Sequence, residues 1–200
     1  MSAIERIVGT ALPMRGDDID TDRIMPARFL TAVSFEGLED HVFEDDRDAP
    51  TARGDRHPFV DPAYRGASIM IVNRHFGCGS SREHAPQGLR RWGIQAIVGE
   101  SFSEIFFGNA VKLGIACVTA PAADVERLMA GAETTPGAPI DVSLRELSVT
   151  AGSHTVAVDM PAAAREALLA GTWDATALLL NDFEQVEAVA ERLPYVRGFA

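Results

Sequence analysis

Ala67-Ser68-Ile69-Met70-Ile71-Val72, then a glycine-punctuated loop from Asn73 to Ser81, then Arg82 to Trp92, then Ile94-Gln95-Ala96-Ile97-Val98: this stretch decides the fold. The two short apolar runs read as strands buried on both faces, because neither alternates with polar residues. Arg82 to Trp92 reads as a helix between them, with Pro86 tolerated in its first turn, where a missing N–H costs nothing. Strand, loop, helix and strand make a βαβ unit. Two strands joined that way run parallel, with a right-handed crossover.

Working outward, Ile4 to Leu12 reads as an earlier strand that ends in an acidic turn, Gly16-Asp17-Asp18-Ile19-Asp20-Thr21-Asp22. Residues 36–62 are rich in Asp, Arg and Pro with few apolar positions, and read as a long irregular excursion, a kind of segment that is usually functional or mobile. Downstream, Ser101-Phe102-Ser103-Glu104 fits a capping box opening a helix to about Lys112. Ile115 to Val118 reads as a third buried strand, and Pro121 to Ala130 as a helix ended by Gly131. Ile140 to Leu144, Leu147 to Thr150 and His154 to Val158 alternate and are broken by turn residues, the pattern of an antiparallel meander. Pro161 to Ala170 is a helix closed by Gly171, and Asp182 caps a last one, Phe183 to Leu193. The expectation is α/β, with mixed parallel and antiparallel sheet in a single domain over residues 1–200.

Composition narrows the function. Two hundred residues bury enough surface to fold without a staple. A net charge of −11 argues against nucleic acid and anionic membranes as partners. The acidic excess lies toward both ends; residues 61–110, where glycines cluster, are nearly balanced. Residues 1–12 include Glu5 and Arg6 and no long apolar run, so no signal peptide is expected, and no run is long enough to span a membrane. Cys78 and Cys117 are the only cysteines, too few for a four-thiolate zinc site or cluster, and a cytoplasmic location with free thiols follows. Lys112 is the single lysine, which disfavours Schiff-base and Walker-type chemistry.

The densest polar stretch is Phe76-Gly77-Cys78-Gly79-Ser80-Ser81-Arg82-Glu83-His84. Glycines between a strand and a helix let the backbone approach a ligand, helix amides attract anions, and Arg82 can grip a carboxylate with two hydrogen bonds. The plainer reading is a tight turn with Ser80 and Glu83 as a capping box. The loop lacks the lysine of a phosphate loop and the third glycine of a dinucleotide fingerprint. Ser81 and His84 do not have nucleophile-elbow spacing, so His84 reads as a residue that orients the loop by hydrogen bonding. Asp17, Asp18, Asp20 and Asp22 lack the glycine and glutamate of a calcium loop and read otherwise as a solvated turn. Cys78 is either a redox residue or a small packed thiol. No metal is assigned to the chain.

Phe76 to Ala85 closely resembles the signature of the 3-isopropylmalate dehydratase small subunits, a family similar to the swivelling domain of aconitase. Asp18-Ile19-Asp20-Thr21-Asp22-Arg23-Ile24-Met25-Pro26-Ala27-Arg28-Phe29-Leu30 resembles the family's acidic motif and its continuation. Gly66 to Ile69, Ser101 to Asn109 and Leu178 to Asp182 also fit. The resemblance implies a swivelling β/β/α domain and a large-subunit partner carrying a four-iron four-sulfur cluster, with no cofactor on this chain. It implies reversible dehydration and rehydration of an isopropylmalate, a small hydroxy-diacid, in leucine biosynthesis, with the partner's cluster as Lewis acid. Ser80 matches the serine base, and Ser81 and Arg82 match substrate-binding positions. Phe29, Leu30 and Thr31 match a loop that meets the variable side group of the substrate. Asp20, Asp22, Gly77, Gly79, Glu83 and His84 belong to the supporting motif.

Two departures stand out. Lys112 to Cys117 differs from the family's usual run, with Cys117 in place of a proline, and the 36–62 excursion lacks an aromatic-rich segment of the common bacterial form. Related small subunits that act on methylmalate, maleate or homoaconitate look alike, and Arg28 would suit a distal carboxylate if it pointed into the site. A reading of another class, a stand-alone small-anion-binding protein, needs no partner.

Overall fold

The computed structural model describes residues 2–47, 56–80 and 82–196. Its strands are β1 (Arg6–Met14), β2 (Ile69–Val72), β3 (Ala96–Gly99), β4 (Ala116–Thr119), β5 (Pro139–Ser143), β6 (Ser148–Ala151) and β7 (His154–Ala157). They form one sheet in the order β4-β3-β2-β1-β5-β6-β7. β1 joins its two halves. Ala11 to Met14 pair parallel with β2, Ile69 to Val72, whereas Arg6 to Thr10 pair antiparallel with β5. β2, β3 and β4 continue the parallel half, and β5, β6 and β7 form the expected meander.

The helices are α1 (Thr21–Ile24), α2 (Glu44–Arg47), α3 (His84–Trp92), α4 (Glu104–Lys112), α5 (Ala122–Thr134), α6 (Ala162–Ala170), α7 (Ala175–Asn181) and α8 (Phe183–Ala190). Successive strand residues point to opposite faces, and both faces of the parallel half are covered. Ile69, Ile71, Ala96, Val98, Ala116 and Val118 share one core with Val125, Leu128 and Met129 of α5 and Leu168 of α6. Met70, Val72, Ile97 and Cys117 share the other with Ala85 and Leu89 of α3 and Phe106 and Ala110 of α4. Burial on both sides is why these strands read as unbroken apolar runs. Cys117 sits mid-strand, paired with Ile97 of β3, so the departure from proline leaves a regular strand.

The structure corrects several local expectations. Residues 36–62 are not irregular throughout. They contribute α2 and a 3-10 turn at Leu38–His41, and Leu38, Val42, Phe43 and Phe59 are buried with Ile24 and Met25. The Phe59 ring lies 4.7 Å from that of Trp92 and 4.9 Å from that of Phe43. A Cβ on Gly88 of α3 would lie 2.6 Å from Met25 Cε and 2.9 Å from Val42 Cγ2, so the missing side chain is what admits this layer. Residues 48–55 of the excursion lie outside the described residues. Ser103, not Ser101, caps α4, its Oγ accepting from Phe106 N at 3.4 Å. Gly131 lies inside α5, its Cα facing open space, and the helix runs on to bury Ala132. α7, capped by Asp174, has no counterpart in the sequence reading, and α8 ends at Ala190, short of Leu193.

Candidate active site

Adjacent parallel strands release their loops at the same sheet edge, the usual place for ligands in α/β folds. The acidic loop after β1 and the glycine loop after β2 therefore leave side by side, and backbone hydrogen bonds pair them. Asp18 N donates to Arg74 O at 3.0 Å, Gly77 N to Ile19 O at 2.8 Å, and Thr21 N to Cys78 O at 2.9 Å. The loop after β3 joins as a third layer. Phe76 N donates to Ser101 O and Ser103 N to Phe76 O, at 3.1 and 3.0 Å. The two serines of the expected capping box do separate work here. Ser101 Oγ accepts from His75 N at 2.8 Å, and Ser103 Oγ donates to Gly77 O at 2.6 Å while capping α4.

Both glycines of the loop have positive φ, 74° at Gly77 and 92° at Gly79. At Gly77 space is short as well, since a Cβ would fall 2.2 Å from the Phe106 ring. This curvature presents Ser80 at the exposed surface. The carbonyl of Ser80 is held from behind by Thr21, a buried residue whose hydroxyl donates to it at 3.0 Å. Thr21 is the supporting residue that the sequence reading missed; its place inside the quoted acidic motif was the available signal. Ser81 lies outside the described residues.

Arg82 forms an ion pair with Asp22, its side chain 16% exposed against 49% for the carboxylate. Asp20 caps α1 by accepting from Arg23 N at 2.8 Å. These two acids are therefore built into the support of the loop rather than forming a freely solvated turn. Glu83 occupies the N-cap position of α3 in helical conformation without capping it; its carboxylate instead accepts from Gln87 Nε2 at 2.9 Å. The capping box of Ser80 with Glu83 does not form, because the helix starts one residue after Glu83. His84 meets the ring of Phe35 edge-on at 5.2 Å.

Phe29, Leu30 and Thr31 lie in a 3-10 turn, Ala27–Thr31. Phe29 stacks on His41 at 4.0 Å, and Thr31 is exposed with its hydroxyl 3.4 Å from Arg28 O. Arg28 is held by Asp45 and Glu44 at 2.8 and 3.1 Å. The polar and ring contacts of this turn thus run to the 41–45 segment, whereas hydrogen bonds and ion pairs join residues 17–22 to 73–80 and Arg82, and His75, Phe76 and Gly77 to 101–103.

Burial raises the Cys78 thiol, and the carboxylates of Asp20 and Asp18 raise it further. Cys117 is raised by burial alone. Neither arrangement suits an iron–sulfur cluster: Cys117 is enclosed in the core and Cys78 is left as a single partly accessible thiol. What the site does offer is a guanidinium, an exposed hydroxyl and curved backbone at a sheet edge. An incoming carboxylate would compete with Asp22 for the fork of Arg82.

Residues 1–123 match the aconitase C-terminal domain family, a span holding β1 to β4 and all three site loops. The small subunit of 3-isopropylmalate dehydratase from Synechocystis sp. is 47% identical over 98% of this chain and 96% of that protein. The chain belongs to the 3-isopropylmalate dehydratase small-subunit family. The small subunit from Thermus thermophilus is 45% identical over 96% of this chain and 95% of its own length. A crystal structure of 3-isopropylmalate dehydratase from Methanocaldococcus jannaschii, 24% identical, shares the fold with a TM-score of 0.64, covering 90% of this chain and 99% of that one. The segments on which the resemblance to the 3-isopropylmalate dehydratase small subunits rests, 18–30, 76–85 and 101–109, start from the ends of β1, β2 and β3.

Proposed function

We propose that the loop at Ser80 supplies the proton-transferring half of the active site in a two-subunit hydro-lyase. The chain serves as the small subunit of a 3-isopropylmalate dehydratase, acting in leucine biosynthesis with a large subunit. The full-length similarity to small subunits of that enzyme carries this reading. The finer assignment is that Ser80 removes the proton next to a substrate carboxylate. Ser80 holds that proton while the hydroxyl group leaves the neighbouring carbon with its electron pair, and an alkene diacid forms. A hydroxyl group then adds at the carbon that lost the proton while Ser80 gives its proton to the carbon that lost the hydroxyl, converting 2-isopropylmalate into 3-isopropylmalate. A serine hydroxyl is a poor base at neutral pH and needs positive surroundings to become an alkoxide. Arg82 supports that role two residues away, and with Ser81 it would hold the carboxylate whose α-proton is removed.

The four-iron four-sulfur cluster expected of the enzyme is assigned to the large subunit, since this chain has no thiolate set to hold it. No helix among the described residues is long and apolar enough to cross a membrane; the cytoplasmic location rests on the biosynthetic role proposed for the chain. The pairing of Arg28 with Asp45 and Glu44 favours isopropylmalate over a tricarboxylate, because that cation is already satisfied.

The test is anaerobic co-expression with the large subunit encoded by the same organism, followed by assay on isopropylmalate, citramalate, malate and homocitrate. Turnover with isopropylmalate preferred is expected. Isopropylmalate turnover that does not depend on this chain would overturn the role, and a preference for homocitrate would overturn the substrate.

A further inference from the structure

The two paired loops bring together three metal-ligating side chains that the proposed reaction does not use. One carboxylate oxygen of Asp18, one ring nitrogen of His75 and Sγ of Cys78 all lie within 4.8 Å of one another. These residues come from separate loops, and the backbone places them. Asp18 N is bonded to Arg74 O, Gly77 N to Ile19 O and Thr21 N to Cys78 O, so the pairing of the two loops does not rest on the side chains of Asp18, His75 and Cys78. Asp18 and His75 both have positive φ, 55° and 58°. A non-glycine residue there costs about 1–2 kcal/mol, and here that conformation turns both side chains toward one another. Asp18 Oδ1 and His75 Nδ1 are 2.8 Å apart.

We propose that Asp18, His75 and Cys78 form a binding site for a zinc ion, with the fourth coordination position open. Oxygen, nitrogen and sulfur donors together suit zinc, whereas magnesium and calcium take oxygen donors. The surrounding charge favours a cation. The carboxylates of Asp17, Asp18 and Asp20 lie in the same loop, and a bound dication would displace the thiol proton of Cys78 as the metal–sulfur bond forms. Asp18 and His75 are exposed, so an ion has direct access, while buried Cys117 offers no competing thiolate. The neighbouring carboxylate of Asp17 is engaged with Arg74 at 3.2 Å and is not counted as a ligand.

The experiment uses the full-length chain, reduced and stripped with a chelator. Zinc is titrated against a chromophoric competitor, and cobalt(II) is added separately, because thiolate coordination to cobalt gives a near-ultraviolet charge-transfer band. One equivalent of zinc per chain and a cobalt band are expected. Cys78→Ser should abolish the band. His75→Asn and Asp18→Asn should each weaken zinc binding by about tenfold or more, the scale of losses seen when even supporting groups of a metal site are removed. Asparagine tolerates the left-handed backbone, so these two variants keep the loops intact, as circular dichroism and thermal unfolding would check. Absent or substoichiometric zinc binding overturns the site. So does unchanged affinity in both asparagine variants, which would leave only a lone surface thiol. Neither measurement needs the partner or turnover, so its outcome is independent of the hydro-lyase role.

Discussion

Thr21 reaches from the start of α1 and donates its hydroxyl to the carbonyl oxygen of Ser80, at 3.0 Å and across 59 residues of sequence. Its backbone N–H takes the carbonyl of Cys78 in the same loop. One buried residue thus fixes two carbonyls that bracket Gly79. Thr21→Val keeps shape and loses the hydroxyl, which should cost about 1 kcal/mol of stability, the net worth of a typical hydrogen bond. In the assembled enzyme kcat should fall more than KM changes, and Thr21→Ser should restore it. Equal kcat in the valine and serine variants would show that the bond does not position Ser80.

Ser80→Ala should abolish turnover while the two subunits still co-purify. Losing a proton-transfer group typically costs on the order of 10²–10⁴ in rate. Steady-state kinetics of the complex decide this, and turnover within about threefold of wild type, small beside that range, would remove Ser80 as the base.

Arg82→Lys keeps the charge but not the planar fork that matches a carboxylate with two bonds. It also loosens the pair with Asp22. A raised KM and a lower kcat are expected. If the lysine variant is kinetically silent while Arg82→Ala is inactive, charge alone matters.

Gly77→Ala is expected to fail on packing. Its φ is 74°, and the added Cβ would lie 2.2 Å from the Phe106 ring. A left-handed alanine costs about 1–2 kcal/mol and overpacking about 1–3. A fall of roughly 2–5 kcal/mol in urea unfolding checks the sum of those two costs. A near-neutral result would mean that Phe106 moves aside freely.

His57 is buried among the rings of Phe43 and Phe59, and its Nε2 has no hydrogen-bond partner among the described residues. Burial lowers its pKa from 6.5 to about 4. A histidine lowered in the folded state binds its proton more readily when unfolded, so stability is lost as pH falls from about 6.5 to about 4. The contribution is on the order of 2–3 kcal/mol, given about 1.4 kcal/mol per pKa unit with some loss to solvent screening. Urea midpoints measured across that window should slope less in His57→Leu than in wild type. Parallel slopes would place the proton elsewhere.

How far the residues alone led can be seen in particular places. β2, α3 and β3 were legible because strands buried on both faces must be apolar throughout, and a helix between them forces the parallel arrangement. The glycine loop was legible as a site because glycines at a strand–helix junction signal close backbone approach. The start of α4 was misplaced, since the capping-box spacing from Ser101 to Glu104 pointed to Ser101, and only the position of His75 N across the site gave Ser101 its other partner and left Ser103 to cap the helix. The burial of Leu38, Val42, Phe43 and Phe59 was hidden for a similar reason. They are sparse and aperiodic in sequence, and their partners Ile24, Met25 and Trp92 lie on other elements.

Local chemistry is written in the residue order: strand runs, glycine turns, helix ends and the motif that identifies the family. Pairing across the sheet edge is not. Thr21 with Ser80, Asp22 with Arg82, and Asp18 with His75 each join the loop after β1 to the loop after β2, at sequence separations of 59, 60 and 57 positions. Chain connectivity places no restraint on such pairs; the parallel register of β1 on β2 does, because it brings both loops out at one edge and lets their backbones bond.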